Sequence, residues 1–172
     1  MSTVVNIPVS NVSIEDLSEP LVIPVEAYIS EEYARAEGDR LWAKVWQHVG
    51  RVEEIPEVGS YITYDIAKDS ILIVRTAPDK IKAYHNVCTH RGRRLVGTPA
   101  GANQACGKTQ KFGCNYHAWT FNLEGKATYI LDKGDWKGAL TDERTNLAEV
   151  KVDTWGGWIW INMDPNCVPL RE

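Results

Sequence analysis

The chain has 172 residues, 44% apolar and 24% charged, enough for one domain with a hydrophobic core. With 19 Lys and Arg against 23 Asp and Glu, the formal net charge is −4. No basic run occurs, so neither nucleic acid nor an anionic membrane has an electrostatic partner here, and the mild acidity would suit, weakly, a redox partner with a basic patch.

Residues 1–29 mix Val, Ile and Leu with Pro8, Pro20 and Pro24 without a sustained period, and are read as an extended N-terminal arm. The first residues carry neither the positive n-region nor the apolar h-region of a secretory signal. No stretch approaches the roughly 18 apolar residues of a membrane helix. The expectation is a cytoplasmic protein. A helix is predicted after Ser30, an N-cap residue, with Glu31 and Glu32 favourable in its first turn. Ala34, Gly38, Leu41, Trp42 and Val45 fall on one stripe, expected to dock the helix on the core. Gly38 weakens its continuity, since glycine costs about 1 kcal/mol against alanine in a helix.

From Gln47 the pattern turns to β. Tyr61–Ile66 and Ser70–Arg75 read as strands around an Ala67-Lys68-Asp69 turn, and Pro78-Asp79-Lys80 precedes a strand over Ile81–Asn86. Trp119–Asn122 and Lys126–Ile130 flank Leu123-Glu124-Gly125, where Gly125 can take a positive φ. Trp155–Met163 reads as one core strand of alternating aromatic and aliphatic residues. The fold class is mostly β, an antiparallel sandwich or small barrel with one helix near the N-terminus.

The chemistry lies in Asn86-Val-Cys88-Thr-His90-Arg-Gly92 and Cys114-Asn-Tyr-His117-Ala-Trp119, with 23 residues between His90 and Cys114. Each is a Cys/His pair beside a predicted strand. Thiolates with imidazoles suit zinc or an iron–sulfur cluster and disfavour the ions that prefer carboxylates. Cys88-x-His90, with one intervening residue, is tight for chelating one zinc, whose paired ligands typically have two to four residues between them. A two-iron cluster removes that difficulty if each loop donates one residue to each iron, the two cysteines on one and the two histidines on the other. Such a centre, with two ferric ions, two sulfides and two thiolates, is formally neutral when oxidised. It therefore accepts an electron more readily than a four-thiolate centre, in a range of roughly −150 to +300 mV.

These motifs resemble the Rieske [2Fe–2S] domain of the large (α) subunit of Rieske non-haem iron ring-hydroxylating oxygenases. Leu41-Trp-Ala-Lys-Val-Trp46-Gln-His-Val-Gly50-Arg51 and Trp155-Gly-Gly-Trp158-Ile-Trp160 extend the likeness over about residues 34–172. The resemblance implies a Rieske-type β-sandwich over residues 30–172 with a small cluster-binding subdomain and one [2Fe–2S] cluster. Cys88 and Cys114 would hold the inner iron, and His90 and His117 the outer one. It also implies one-electron transfer from a ferredoxin or reductase to a mononuclear iron that activates O2, in a homotrimer and in the breakdown of aromatic compounds.

The Gly97–Lys111 stretch with Cys106 makes the inter-motif gap longer than the family leads one to expect. Outside the motifs the chain has only His48 and His85, both read as structural, so the two-histidine, one-carboxylate triad of the catalytic iron is not expected here. The expectation is an electron-transfer part of an oxidoreductase without its catalytic domain. A stand-alone Rieske ferredoxin and a structural Cys2His2 zinc domain are the alternatives. His48 and His85 are read as structural and Cys106 and Cys167 as free, outside the positions of the disulfide found in respiratory Rieske proteins. Gly92 should permit a turn that aims N–H groups at cluster sulfur, and Arg91 should pair with an acid nearby or at an interface. Tyr116 and Trp119 should pack beside the second loop and shield the cluster.

Overall fold

A computed structural model describes residues 23–172. The short helices are α1 (Glu26–Ile29), α2 (Glu31–Glu37) and α3 (Asp142–Thr145). The strands are β1 (Gln47–Arg51), β2 (Ser60–Ile66), β3 (Asp69–Ala77), β4 (Lys80–His85) and β5 (Cys106–Lys108), then β6 (Lys111–Gly113), β7 (Thr120–Asn122), β8 (Ala127–Tyr129), β9 (Glu149–Trp155) and β10 (Trp158–Asn162). They form an antiparallel seven-stranded sheet in the order β1-β10-β9-β4-β3-β2-β5 and a three-stranded sheet β6-β7-β8. The mostly-β expectation holds.

The run Ile71-Leu72-Ile73-Val74 shows why two layers form. All four side chains are fully buried, and successive residues on a strand face opposite ways. Ile71 and Ile73 enter one core with Val49, Ile55, Ile62, Ala83, Val150, Ile159 and Ile161. Leu72 and Val74 enter the other, with Tyr84, Leu95, Phe112, Trp119, Phe121, Leu147 and the two cysteines Cys88 and Cys114. That second core ties the small sheet, and with it the Cys/His loops, to the central strands of the large one.

Several local expectations change. Of the expected arm, residues 1–22 lie outside the described residues. Glu26–Ile29 make one helical turn instead of extended chain, initiated at Pro24, whose carbonyl accepts from the Ala27 N–H at 3.0 Å. Ser30 caps α2 as expected, its Oγ accepting from the Glu32 N–H at 3.1 Å. The helix then loosens into a π-helical turn over Gly38–Trp42. Of the expected stripe, Gly38, Trp42 and Val45 are half-buried and Ala34 and Leu41 exposed, while Tyr33 and Ala36 are half-buried instead. A Cβ on Gly38 would lie 3.2 Å from the Ala67 Cβ, so the glycine lets the helix sit on the β2–β3 turn.

Trp155–Met163 is not one strand. Gly156 and Gly157 take φ of 61° and 80°, and Trp155 pairs with Trp158 across a two-residue turn that joins β9 to β10. Two adjacent positive-φ residues are what a tight hairpin of right-handed twist requires. Gly125 also takes a positive φ (77°), in the β7–β8 turn, and a Cβ there would lie 2.5 Å from the ring of Tyr84. Tyr84 is fully buried and its hydroxyl donates to the Leu123 carbonyl at 3.0 Å, so it has little freedom to retreat. Gly125→Ala is therefore expected to cost about 2–4 kcal/mol, from left-handed strain plus overpacking. A urea-denaturation midpoint that did not move would mean that the Tyr84 ring can shift aside.

Candidate metal centre

The two Cys/His motifs become two fingers of similar backbone. The first, Val87 to Leu95, leaves the end of β4. Its base is an isolated antiparallel bridge between Val87 and Arg94, and the Cys88 N–H donates to the Arg93 carbonyl at 2.7 Å. The second joins β6 to β7, with the Cys114 N–H donating to the Trp119 carbonyl at 2.8 Å. In each finger the cysteine carbonyl accepts from the N–H four residues on, from Gly92 at 2.9 Å and from Ala118 at 3.0 Å. That fourth residue is left-handed in both, with φ of 70° at Gly92 and 58° at Ala118. Gly92 advertised its turn; Ala118, a non-glycine in a conformation that costs an alanine about 1–2 kcal/mol, did not.

These turns point amide donors inward. The N–H groups of His90 and Arg91 bond the Cys88 sulfur, and those of Tyr116 and His117 bond the Cys114 sulfur. Gly92 aims no amide at sulfur itself, since its own N–H closes the turn. Both cysteines are free, and their thiols face each other within hydrogen-bonding reach. Burial, followed by the neighbouring Cys114, pushes the Cys88 thiol up despite its amide donors. Burial also opposes ionisation of Cys114, but the amides of Tyr116 and His117, the Cys88 thiol and the Arg93 charge outweigh it and bring its thiol down.

Beside the thiols lie the imidazoles of His90 and His117, with centroids 4.7 Å apart and planes at 69°. Both histidines are half-buried, whereas the cysteines are almost fully so. Burial, then the adjacent His117 and Arg91, lowers the His90 pKa and favours a neutral ring able to ligate a metal. The His117 Nδ1 is buried without a hydrogen-bond partner among the described residues. An orphaned imidazole nitrogen inside a protein is costly unless something binds it.

Aromatic rings hold the outer pair. The Trp119 indole is buried and lies parallel to His90, 4.9 Å between centroids and 6° between planes. Trp136, in the helical turn Lys133–Trp136, meets both rings edge-on at 5.9 and 6.2 Å. Tyr116 packs on His117 at 3.8 Å yet stays 58% exposed, so it covers the outer edge of the site and not its interior. Thr89 ties the first finger to α3, its Oγ1 donating to the Thr145 carbonyl at 2.7 Å. Arg91 is exposed with no carboxylate within 4 Å among the described residues, so the nearby acidic partner expected for it is not found there.

The structure does not bring the other expected residues to the site. His48 lies exposed in β1 against Trp158, His85 ends β4 and Cys106 is exposed in β5. Trp136, Thr89 and Asn86 were not anticipated. Trp136 had no local signal, whereas Asn86 stood directly before the first motif. Among the described residues no three His, Cys, Asp or Glu side chains converge on a single-ion site. Two thiols on one side, two imidazoles on the other and an unpartnered ring nitrogen fit a binuclear cluster better than one tetrahedral ion.

Comparison with known proteins agrees. Residues 45–136 match the family described as the Rieske [2Fe–2S] domain. The glycine betaine monooxygenase oxygenase subunit of Pseudomonas aeruginosa is 33% identical over 145 residues, covering 84% of this chain and 32% of that protein. Naphthalene 1,2-dioxygenase from Rhodococcus sp. superposes with a TM-score of 0.77 at 25% identity, over 91% of this chain and 35% of that one. A quaternary ammonium Rieske monooxygenase, whose structure is described as revealing insights into carnitine oxidation and inter-subunit electron transfer, superposes with a TM-score of 0.74 at 30% identity. It is matched over 86% of this chain and 39% of its own. The chain spans between 32% and 39% of the length of the curated relatives it matches. The family's cofactor is one Rieske-type [2Fe–2S] cluster, which the donor set described here fits. The chain belongs to the Rieske [2Fe–2S] domain family, and its homologues are the α subunits of Rieske oxygenases.

Proposed function

We propose that this chain is the electron-transfer part of a Rieske oxygenase α subunit, with Cys88 and Cys114 on one iron of the cluster and His90 and His117 on the other. The observation that carries the reading is the segregation of the four side chains into a buried thiol pair and a half-buried imidazole pair, with the His117 Nδ1 left unpartnered. When bound, the cluster supplies a one-electron couple. The residues do the rest. Four backbone N–H groups offset negative charge on the two thiolate sulfurs, which favours taking up an electron. Trp119 holds the His90 ring in plane, and the second core keeps water from the thiolates.

The imidazole pair sits at the more exposed end and is the side from which a partner would exchange electrons. Exposed Arg91 and Arg93 beside it make that rim basic although the chain as a whole carries −4. The partner surface this favours is acidic, the reverse of what the net charge suggested, because charge within a Debye length governs docking. A ferredoxin or reductase is the proposed donor. The acceptor is a mononuclear iron in a catalytic domain, in trimers where a neighbouring copy supplies it. Residues 30–172 are one Rieske domain in this reading. No helix among the described residues is long and apolar enough to cross a membrane, and a cytoplasmic setting is proposed.

The matched relatives include a glycine betaine monooxygenase as well as naphthalene dioxygenase structures, so an aromatic substrate is one of two proposed classes, beside a quaternary ammonium compound. The test is a reduced-state EPR spectrum with iron and sulfide analysis of anaerobically purified protein. The expected result is a rhombic Rieske signal with two irons per chain, lost on His90→Ala. A colourless protein with one zinc per chain would overturn the reading in favour of a structural zinc domain.

A further inference from the structure

The two fingers are closed in different ways. The second is the tip of a β6–β7 hairpin, so backbone pairing fixes both its ends. The first leaves β4 at His85, and the next strand of the large sheet, β5, begins only at Cys106 and pairs with β2, away from β4. Backbone pairing alone therefore leaves it one isolated bridge, Val87 to Arg94.

A side-chain circuit closes the gap. Asn86 is 2% exposed, and its side-chain amide pairs with Val96 as a peptide group would. Its Nδ2 donates to the Val96 carbonyl at 2.7 Å and its Oδ1 accepts from the Val96 N–H at 3.0 Å. Its backbone N–H donates to the Ser70 carbonyl at 2.8 Å, and its carbonyl accepts from Leu95 at 3.4 Å. The second proton on Nδ2 goes to the Ser70 Oγ at 3.1 Å, and that hydroxyl donates to the Asp65 Oδ1 at 2.5 Å. Asp65 returns to the same finger, its Oδ2 accepting from Arg94 at 2.8 Å and from the Thr98 hydroxyl at 3.5 Å. The circuit starts just before the finger, crosses the β2–β3 hairpin and ends at the finger's far side.

We propose that Asn86, Ser70 and Asp65 are positioning residues that set the first finger's offset from the second, and so the placement of Cys88 and His90 against Cys114 and His117. The proposal rests on the reading of those four residues as cluster ligands. The hairpin supplies the fixed reference: Asp65 and Ser70 face each other across the β2–β3 pair, whose inner residues are buried on both faces. A finger freed from it would shift its amides relative to the Cys88 sulfur, and those hydrogen bonds tune the potential of a sulfur-ligated cluster.

The test compares the 172-residue wild-type chain with Ser70→Ala, Ser70→Thr, Asp65→Asn and Asn86→Ala. The readouts are the reduced EPR g-values, the midpoint potential, the rate of cluster loss to a chelator and the melting temperature. Ile161→Val, a core change remote from the fingers, serves as a control of stability alone. The expected result is that Ser70→Ala and Asp65→Asn move the g-values and potential and speed cluster loss about three- to tenfold. Ser70→Thr, which keeps the hydroxyl, should restore wild-type behaviour, and Ile161→Val should lower the melting temperature without moving the potential. Asn86→Ala strips two partners from Val96 and is expected to show the largest loss; if it fails to fold, the Ser70 and Asp65 variants still decide. Ser70→Ala and Asp65→Asn with wild-type spectrum, potential and cluster lifetime would overturn the clamp. Wild-type protein without a rhombic signal would overturn the ligand reading and the clamp with it.

Discussion

His117→Cys is expected to retain two irons per chain while lowering the midpoint potential by roughly one to several hundred millivolts. The reason is formal charge. Two thiolates leave the oxidised centre neutral, and a third makes it an anion, to which adding an electron costs more. Rieske centres fall at about −150 to +300 mV and four-thiolate plant ferredoxins near −400 mV, so a three-thiolate centre belongs between them. The substitution is local, because the second finger is held by hairpin pairing and by Cys114 and Ala118, not by the His117 ring. Spectroelectrochemical titration with iron analysis checks it. An unchanged potential with both irons retained would show that His117 does not ligate the cluster. His117→Ala should instead lose the signal, since alanine offers the cluster no donor in place of the imidazole.

Trp119→Ala is expected to cost about 3–5 kcal/mol of folding stability, a large part of the 5–15 kcal/mol that a domain commonly has. Trp119 is 3% exposed in the core that joins the small sheet to β3 and β4, so its removal leaves a cavity between the layers. It also removes the surface on which His90 lies at 4.9 Å. The variant should therefore show two effects of different origin: a lower denaturation midpoint for the apoprotein and a broadened or shifted EPR signal in the reduced holoprotein. Trp119→Phe keeps an aromatic ring in the core and should recover most of the stability but less of the spectrum. Loss of stability with an unaltered signal would mean that other contacts orient His90.

The sequence by itself presented the two Cys/His pairs that are proposed as the donor set. Metal binding demands particular side chains at short separations within a loop, and Cys88-x-His90 and Cys114-x-x-His117 carry that information locally. Strands bounded by turn residues were legible for the same reason: the β2–β3 turn at Ala67 and Lys68 and the β7–β8 turn at Gly125 are short-range signals. The Trp155–Met163 segment was misread because alternation continues across Gly156-Gly157, and only pairing partners distinguish one strand from a hairpin. The helix stripe held at Gly38, Trp42 and Val45 and not at Ala34 and Leu41, and the π-helical turn over Gly38–Trp42 is a change of period that the sequence pattern does not encode.

What only the tertiary structure decided is how the ligands are held. Ala118 takes a left-handed conformation in the turn closed by the Cys114 and Trp119 pairing, and its residue type gave no sign of it. Trp136 meets His90 from 46 positions along the chain, and Thr145 reaches Thr89 from 56 away. Asp65, Ser70 and Asn86 come together only when the first finger folds back over the β2–β3 hairpin. Ligand identity is a matter of atoms within one loop, whereas ligand position depends on which distant side chains the packed sheets bring behind it.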